Sequence, residues 1–392
     1  MIGGKLKRTI ATRTLYVLNF LLGAHIALVV YFNSSFLESR GVPEELLGTL
    51  YAIGSVLSIV VLILLPKVLN KIGNYKTLVI AGLIDIVLFV GLALLTTKLA
   101  ILTMFVLSVA ISVPLFFGLD ILLESYNGNE ENTGDTRSLF LTAINIAFVA
   151  SPAVAGLILV SNGYSKLYLL SALLVVPFLL ITRWQFKDFK DPEYKPLKLK
   201  PVFKKLLKSA DLRGIFALQF FIRFFFAIMV IYVPIYLTQH IGFSLKEMGT
   251  IFSIMLLPFV LLEYPIGHYV DKIMGEKELL FVGFAIMAFS TAAIPMFTTA
   301  PNFLFWTLLL LTTRVGAAMV EVMNEIYFFK HVDGDDLDAI SSFRILRPMA
   351  YIIAPLLGST LLLINGFETV FLMLAVCMML GAIIATSLKD TK

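Results

Sequence analysis

Charge is scarce in this 392-residue chain: Asp, Glu, Lys and Arg together make up 15% of it, where an ordinary soluble domain carries about a quarter. Cysteine occurs once, at Cys377, which excludes an internal disulfide and a cysteine metal cluster. The four histidines, His25, His240, His268 and His331, are scattered without ligand spacing. A nucleotide-cradling loop and a nucleophile elbow are both absent. An enzyme is therefore the least favoured class, and no cofactor or metal is expected. The net charge of +5 sits in short loops and forms no basic stripe, so nucleic acid is not an expected partner. The first apolar run, from about Leu15 to Tyr31, lacks a small-residue cleavage site and reads as a retained span.

What is plentiful is apolar sequence. The chain is 59% hydrophobic, with a mean hydropathy of +0.93. Runs of about 20 apolar residues recur along it, the length that crosses a bilayer as a helix. Spans are predicted at 14–36, 45–66, 76–97, 100–123, 138–160, 165–186, 211–237, 246–270, 277–298, 302–329, 339–363 and 368–387. Of the 31 Lys and Arg, 23 fall in segments on the side of the N-terminus and four (Arg40, Lys98, Lys166, Lys246) in the opposite loops. By the positive-inside rule both termini are cytoplasmic, as expected for a multi-pass protein of the cell (inner) membrane surrounded by lipid.

The chain also repeats itself. Gly41-Val42-Pro43-Glu44-Glu45-Leu46-Leu47-Gly48-Thr49 aligns without a gap on Gly242-Phe243-Ser244-Leu245-Lys246-Glu247-Met248-Gly249-Thr250, an offset of 201 residues. The offset recurs further on, where Asp120 and Glu124 fall opposite Glu321 and Glu325. A duplicated apolar unit is a common plan of transporters. The predicted organisation is an N-terminal six-helix bundle (1–186), a basic, proline-broken cytoplasmic linker (187–209) and a C-terminal six-helix bundle (210–392). Within the linker, Phe203 to Lys208 reads either as a plain topology-fixing loop or as a short amphipathic helix on the anionic leaflet.

Six plus six helices with a basic middle loop resemble the major facilitator superfamily. That family's loop signature, Gly-x-x-x-Asp-Arg-x-Gly, is echoed by Gly267-His268-Tyr269-Val270-Asp271-Lys272-Ile273-Met274-Gly275, with one extra residue before the last glycine. The first copy, Pro66 to Gly73, departs from the signature: Asn70 replaces the aspartate, followed by Lys71. Ala150-Ser151-Pro152-Ala153-Val154-Ala155-Gly156 is similar to the Gly-Pro-x-x-Gly-Gly motif of drug–proton antiporters, and Ala354-Pro355-Leu356-Leu357-Gly358 echoes it. Those antiporters also carry a basic residue midway along span four, whereas 100–123 holds only Asp120 as a charge. The resemblance implies an all-α fold of two pseudo-symmetric six-helix bundles. It also implies alternating access, with spans one, four, seven and ten around a central cavity.

Charges inside spans cost about 2.5–3.5 kcal/mol each on insertion scales, so each needs a partner, a cavity or a role. Arg223 and Arg314 fall near the middle of spans seven and ten, and their forked donors suit a carboxylate or phosphate. They are read as substrate or coupling residues, or alternatively as cations neutralised by acids of the same half. Glu321 is seven residues from Arg314 and shares its helix face. Glu321 or Glu325 facing Arg344 or Arg347 across a helical hairpin, with Glu263 at similar depth, is expected as a gating pair or a static brace. Asn70, Lys71, Glu124, Asp271 and Lys272 join them as gating candidates. Asp120 is the favoured proton acceptor, since the first half offers only Arg137 as an obvious local partner. His25, a residue type that changes charge near neutrality, is read as a hydrogen-bonded packing residue or alternatively as a cavity-facing proton relay. Asn145 and Asn324 are candidate polar lining, while Asp85 is expected to snorkel or pair with a basic loop residue.

These features predict a monomeric secondary transporter of a small organic solute, with proton coupling of the drug-efflux type as the leading form. Uptake of an organic anion or organophosphate on the two arginines is the alternative, and a non-transporting receptor or scaffold the reading from another class. The second half is expected to bear more of the site, and the first to supply a smaller, titratable part.

Overall fold

The structure, a computed structural model, describes the chain apart from residues 1, 127–132, 161–162, 195–205, 207–208, 263–264, 267–274, 298–300, 333–336 and 390–392, and apart from the side chains of 2–8, 133–138, 337–338 and 340–341. Regular structure among the described residues is helical throughout. The first half comprises α1 (Ile2–Val30), the short α2 (Asn33–Ser39), α3 (Glu44–Ile72), α4 (Asn74–Leu94), α5 (Lys98–Tyr126), α6 (Thr133–Leu159) and α7 (Tyr164–Phe186). The second comprises α8 (Ala210–Ile231), continued by Val233–Ile235 and a π-helical turn at Tyr236–Ile241, then α9 (Leu245–Met255) and α10 (Leu257–Leu261). It closes with α11 (Glu276–Ala293), α12 (Phe303–His331), α13 (Leu337–Asn365) and α14 (Phe367–Thr386). Among the described residues, eleven helices are long and apolar enough to cross a membrane.

The predicted eighth span is the exception. It does not run unbroken from 246 to 270: α9 stops at Met255, and α10 restarts at Leu257 with Pro258 in its first turn. Proline has no N–H to give the carbonyl four residues back, so the ladder breaks there although the apolar run continues. The remainder of that span lies outside the described residues or beside them. The start of α9 is fixed locally, by a capping box in which the Ser244 hydroxyl accepts from the Glu247 N–H and the Glu247 carboxylate accepts from the Ser244 N–H.

The repeat is visible in three dimensions. Gly41 and Gly242, one offset apart, both adopt positive φ (76° and 93°), a conformation glycine takes without a Cβ penalty. The helices that follow start at Glu44 and Leu245, again 201 apart. Helix pairing repeats as well: α1 packs on α6, α4 on α5 and α4 on α7, while α8 packs on α13, α11 on α12 and α11 on α14. Without a hydrophobic drive between helices in lipid, small residues set these approaches. Gly283 and Gly316 bring α11 and α12 so close that a Cβ on Gly316 would lie 2.6 Å from the Gly283 carbonyl oxygen.

The chain divides into two compact units. Unit 1 is Met1–Phe36 with Val56–Pro196, and unit 2 is Leu37–Ser55 with Leu197–Lys392. The core of unit 1 joins Leu15, Leu18 and Leu22 of α1 to Leu78 of α4, Leu115, Leu119 and Leu122 of α5, Phe140 of α6 and Phe178 of α7. In unit 2, residues 37–55 are held by contacts such as Gly48, where a Cβ would sit 2.1 Å from the Pro355 carbonyl oxygen and 2.5 Å from the Tyr232 hydroxyl. Large apolar side chains such as Leu99, Val87, Phe289 and Leu363 point outward, as lipid-facing residues do.

Candidate functional site

In unit 2 the buried charge converges on α8, α12 and α13. Arg223 Nη1 donates to Glu321 Oε1 at 2.8 Å, a bond between α8 and α12 whose side chains are 17% and 24% exposed. Glu325, one turn beyond Glu321, adds a second acid to the field at Arg223. The Arg314 side chain is 1% exposed. Its guanidinium stands 5.1 Å from the centre of the Phe225 ring and 5.9 Å from that of Phe226, while Arg223 stands 5.8 Å from Phe226. Phe226 follows Arg223 by three residues and so shares its helix face. One aromatic ring thus serves two cations, an attraction worth about 2 kcal/mol per desolvated contact. Phe259 of α10 extends the wall, its ring 6.0 Å from Phe226. From α13, Tyr351 sits within the field of Arg223, Arg314, Glu321 and Arg347.

Of the two readings of Arg223, this arrangement matches the cation neutralised by an acid of its own half. Glu321 takes Arg223 on α8 as its ion-pair partner, not an arginine of α13. Arg344 is half-buried and Arg347 exposed. Asn324 is fully buried and donates to Gln219 Oε1 at 2.7 Å, a second polar tie between α12 and α8 one turn below the ion pair. An apolar groove of about 520 Å³ lined by Phe281, Ala285, Phe289 and Leu309 lies on the outer face of α11 and α12; with Phe289 68% exposed, it is a lipid-facing cleft away from these charges.

In unit 1 His25 does not line a cavity. It is 0% exposed, with Nε2 2.9 Å from Oδ2 of Asp85, itself 1% exposed. Ser171 of α7 completes the group, its Oγ 2.8 Å from His25 Nδ1. Asp85 therefore neither snorkels nor reaches a basic loop residue: it faces inward on α4, and α1 supplies its partner. Asp120 and Asn145 are half-buried on α5 and α6, and Glu124 is exposed. The side chain of Arg137 is outside the described residues.

The loop signature of the first copy also has a specific setting. Asn70 binds the linker backbone at both ends of its amide, donating to the Tyr194 carbonyl at 2.8 Å and accepting from the Tyr194 N–H at 3.1 Å. Asp191 accepts from the Asn74 N–H and from the Tyr194 hydroxyl, each at 2.6 Å. An acid from the linker thus sits at the N-terminus of α4, where the helix dipole favours it. Burial and Asp191 hold the Tyr194 phenol well above its usual range. Lys71 is exposed, while Glu263, Asp271 and Lys272 lie outside the described residues, as does most of the Phe203-to-Lys208 segment.

The antiporter-like motif of α13 is a packing seat. Tyr232 donates its hydroxyl to the Pro355 carbonyl at 2.6 Å, and its ring covers Gly358, where a Cβ would lie 2.4 Å from the ring edge. Sequence reasoning passed over Asp85 as a partner of His25, and it missed Ser171, Gln219, Phe226 as a shared cation face, Tyr351 and the Asp191–Tyr194 clasp. Only Asp85 and Gln219 carried a signal, being polar side chains inside apolar runs.

The chain matches the Major Facilitator Superfamily over residues 129–343 and 215–391, and the MFS_1 like family over residues 5–125. No curated protein matches it. Among solved structures, the crystal structure of the nucleoside transporter NupG superposes with a TM-score of 0.76 at 15% identity, covering 96% of this chain and 98% of that one. An aspartate-to-alanine variant of that transporter gives 0.74, also at 15% identity, over 96% and 99%. At that identity the likeness is one of fold. The chain is a multi-pass membrane protein of the major facilitator superfamily of transporters.

Proposed function

We propose that the chain moves a small organic solute with an aromatic body and an acidic group by alternating access, coupled to protons and in the direction of efflux. The observation that carries this reading is the pairing of two midspan guanidiniums, Arg223 and Arg314, over the ring of Phe226. A planar solute stacks on such a wall, and a carboxylate competes with Glu321 for the fork of Arg223. Exchange of Glu321 for the solute is a differential contact that would bias one conformation over another. The Ser151-to-Gly156 resemblance supports the efflux direction, and the lysine and arginine bias supports cytoplasmic termini. A monomer suffices, since these contacts lie within one chain.

A second reading is favoured by the same two cations: uptake of an organic anion or organophosphate, with Arg314 as its anchor. Proteoliposomes tested with uridine, benzoate and glucose 6-phosphate under pH gradients of either sign separate the two. The proposal expects gradient-driven movement of an aromatic probe, lost in Arg314→Ala. Preference for glucose 6-phosphate would favour the uptake reading. Unchanged transport in both Arg223→Ala and Arg314→Ala would remove the site. Failure to move any probe, with tolerance of cross-links that block rocking, would point to a scaffold.

A further inference from the structure

We propose that His25, Asp85 and Ser171 form the proton-carrying site of unit 1, the place where the coupling proton of the transport reading resides. The inference rests on that reading for its consequence and on the geometry for its chemistry.

The hydrogen bonds count the protons. Ser171 Oγ donates its single proton to the His25 carbonyl oxygen at 2.6 Å. With its proton so placed, Ser171 Oγ meets His25 Nδ1, 2.8 Å away, as an acceptor, and so does the Ser171 carbonyl oxygen at 2.9 Å. Two acceptors require that Nδ1 carries a hydrogen. The other ring nitrogen, Nε2, faces Asp85 Oδ2 at 2.9 Å. No hydrogen bond of good geometry joins these two atoms, but bare lone pairs would repel at this distance, so one further proton is placed on the contact, on the carboxyl with a neutral imidazole or on the imidazole with a carboxylate. Either way the pair is neutral overall.

Loss of that one proton leaves a lone aspartate charge, and gain of another leaves a lone cation. Both side chains are buried to within 1% of complete, the Phe89 ring packs 4.3 Å from the imidazole, and no donor among the described residues reaches Asp85 Oδ1. A lone charge in such a place costs several kcal/mol. Proton release therefore has to accompany a loosening of α1, α4 and α7 that admits water, which makes the proton and the conformation one event.

The described acids and bases on the helices packed around the pair lie elsewhere along those helices. α1 offers Arg13 and Tyr16, about 18 and 14 Å away along the helix, and α4 offers Tyr75 and Lys76 at about 14 Å from Asp85. α5 carries Lys98 at one end and Asp120 and Glu124 near the other, and the described side chains of α6 include no acid or base. From α7, Lys166 and Arg183 lie toward the two ends, and Tyr168 gives its hydroxyl proton to Asn33 Oδ1 at 2.7 Å, its ring 5.9 Å from Phe89.

Infrared difference spectra of the purified protein between acid and alkaline pH test the site without any ligand. The expected result is a pH-dependent band of the pair, from a protonated carboxyl or from an imidazolium beside a carboxylate, that is lost in Asp85→Asn and shifted in His25→Gln, with both variants melting cooperatively. An Asp85→Asn spectrum identical to the parent's would overturn the proposal. If that variant does not fold, Ser171→Ala, which removes one hydroxyl, must move the same band, and an unmoved band has the same force. In proteoliposomes with the three probes above, Asp85→Asn should lose gradient-driven accumulation of any probe the parent carries while keeping its exchange. Full accumulation in the variant would overturn the coupling role. If the parent carries none of the probes, the transport reading fails for them, and the infrared spectra still decide the proton site.

Discussion

Unit 1 and unit 2 are copies of one plan, yet they bury charge in different ways. In unit 1 the buried titratable side chains are His25 and Asp85, 2.9 Å apart and sealed to within 1% of complete burial. In unit 2 they are guanidiniums, which do not lose their protons in proteins, and the ion pair between Arg223 and Glu321 is still 17% and 24% exposed. A sealed pair of this kind, on the proposal above, is suited to hold or release one proton. A permanent cation with a partly open partner is suited to trade that partner for another anion. The same scaffold thus supports two chemistries, and the difference lies in which ions are buried and how completely.

The sharpest way to break this contrast is to remove the permanent cations. Arg223→Ala should reduce transport of an acidic probe tenfold or more and should destabilise the fold, because Glu321 loses its partner. The cost falls between that of an exposed pair, about 0–1 kcal/mol, and that of a fully buried pair broken on one side, about 3–5 kcal/mol. Arg223→Ala with Glu321→Ala should recover stability but not transport. A thermal melt in detergent and an uptake assay, run on both singles and the double, give the coupling energy. Additive melting shifts would show that the 2.8 Å contact contributes nothing.

A packing contrast comes next. Gly82 and Gly283 are equivalent at the 201-residue offset, so alanine at each makes the same chemical change. At Gly82 the new Cβ meets the tip of Leu179, a flexible side chain, at 2.6 Å. At Gly283 it meets the Gly316 carbonyl oxygen at 2.9 Å and Val320 at 2.8 Å, where α11 and α12 touch through backbone. Overpacking costs about 1–3 kcal/mol where nothing can move aside. Gly283→Ala should therefore lower the melting temperature clearly and Gly82→Ala little. Equal shifts would mean that the two interfaces yield alike.

How far these features could be read beforehand follows from their range along the chain. The helices and the duplication are local or periodic properties, and Glu44 and Leu245 start their helices where the repeat says they should. Arg223 and Arg314 stood out because a charge in an apolar run is expensive wherever it lies. Their partners did not, because a contact between α8 and α12 joins residues 98 apart and depends on how each helix is rotated about its axis. Arg344 and Arg347 looked closer to Glu321 only because α12 and α13 are consecutive. The His25–Asp85 contact is illegible in sequence for the same reason: the rotation that makes them neighbours is set by the packing of α1 and α4 in the same bundle. The break at Pro258 was hidden by an apolar run that continues through it.

A smaller effect is expected at the first-copy loop. Asn70→Ala removes two hydrogen bonds to Tyr194, each worth about 1 kcal/mol at most in an exposed setting. The linker around Tyr194 should then exchange its amide hydrogens faster, with the bundle core unaffected. Unchanged exchange at Tyr194 would show that Asp191 alone holds the clasp.

The smallest effect separates two positions that are equivalent and touch. Glu38 and Gln239 lie 201 residues apart, and Gln239 Nε2 donates to Glu38 Oε2 at 3.1 Å. One copy of the plan carries an acid where the other carries an amide. Burial first, then repulsion from Glu44, hold the Glu38 carboxyl above its ordinary value of 4.5. The folded protein therefore binds this proton more tightly than the unfolded chain does. The stabilisation is complete below the ordinary value and disappears as pH rises through the raised one. Glu38→Gln, which makes the two positions alike and keeps an acceptor for Gln239, should melt higher than the parent above that window, and the gap should close on acidification. A gap that stays constant down to acid pH would mean that the amide acts through its hydrogen bond and not through the missing charge.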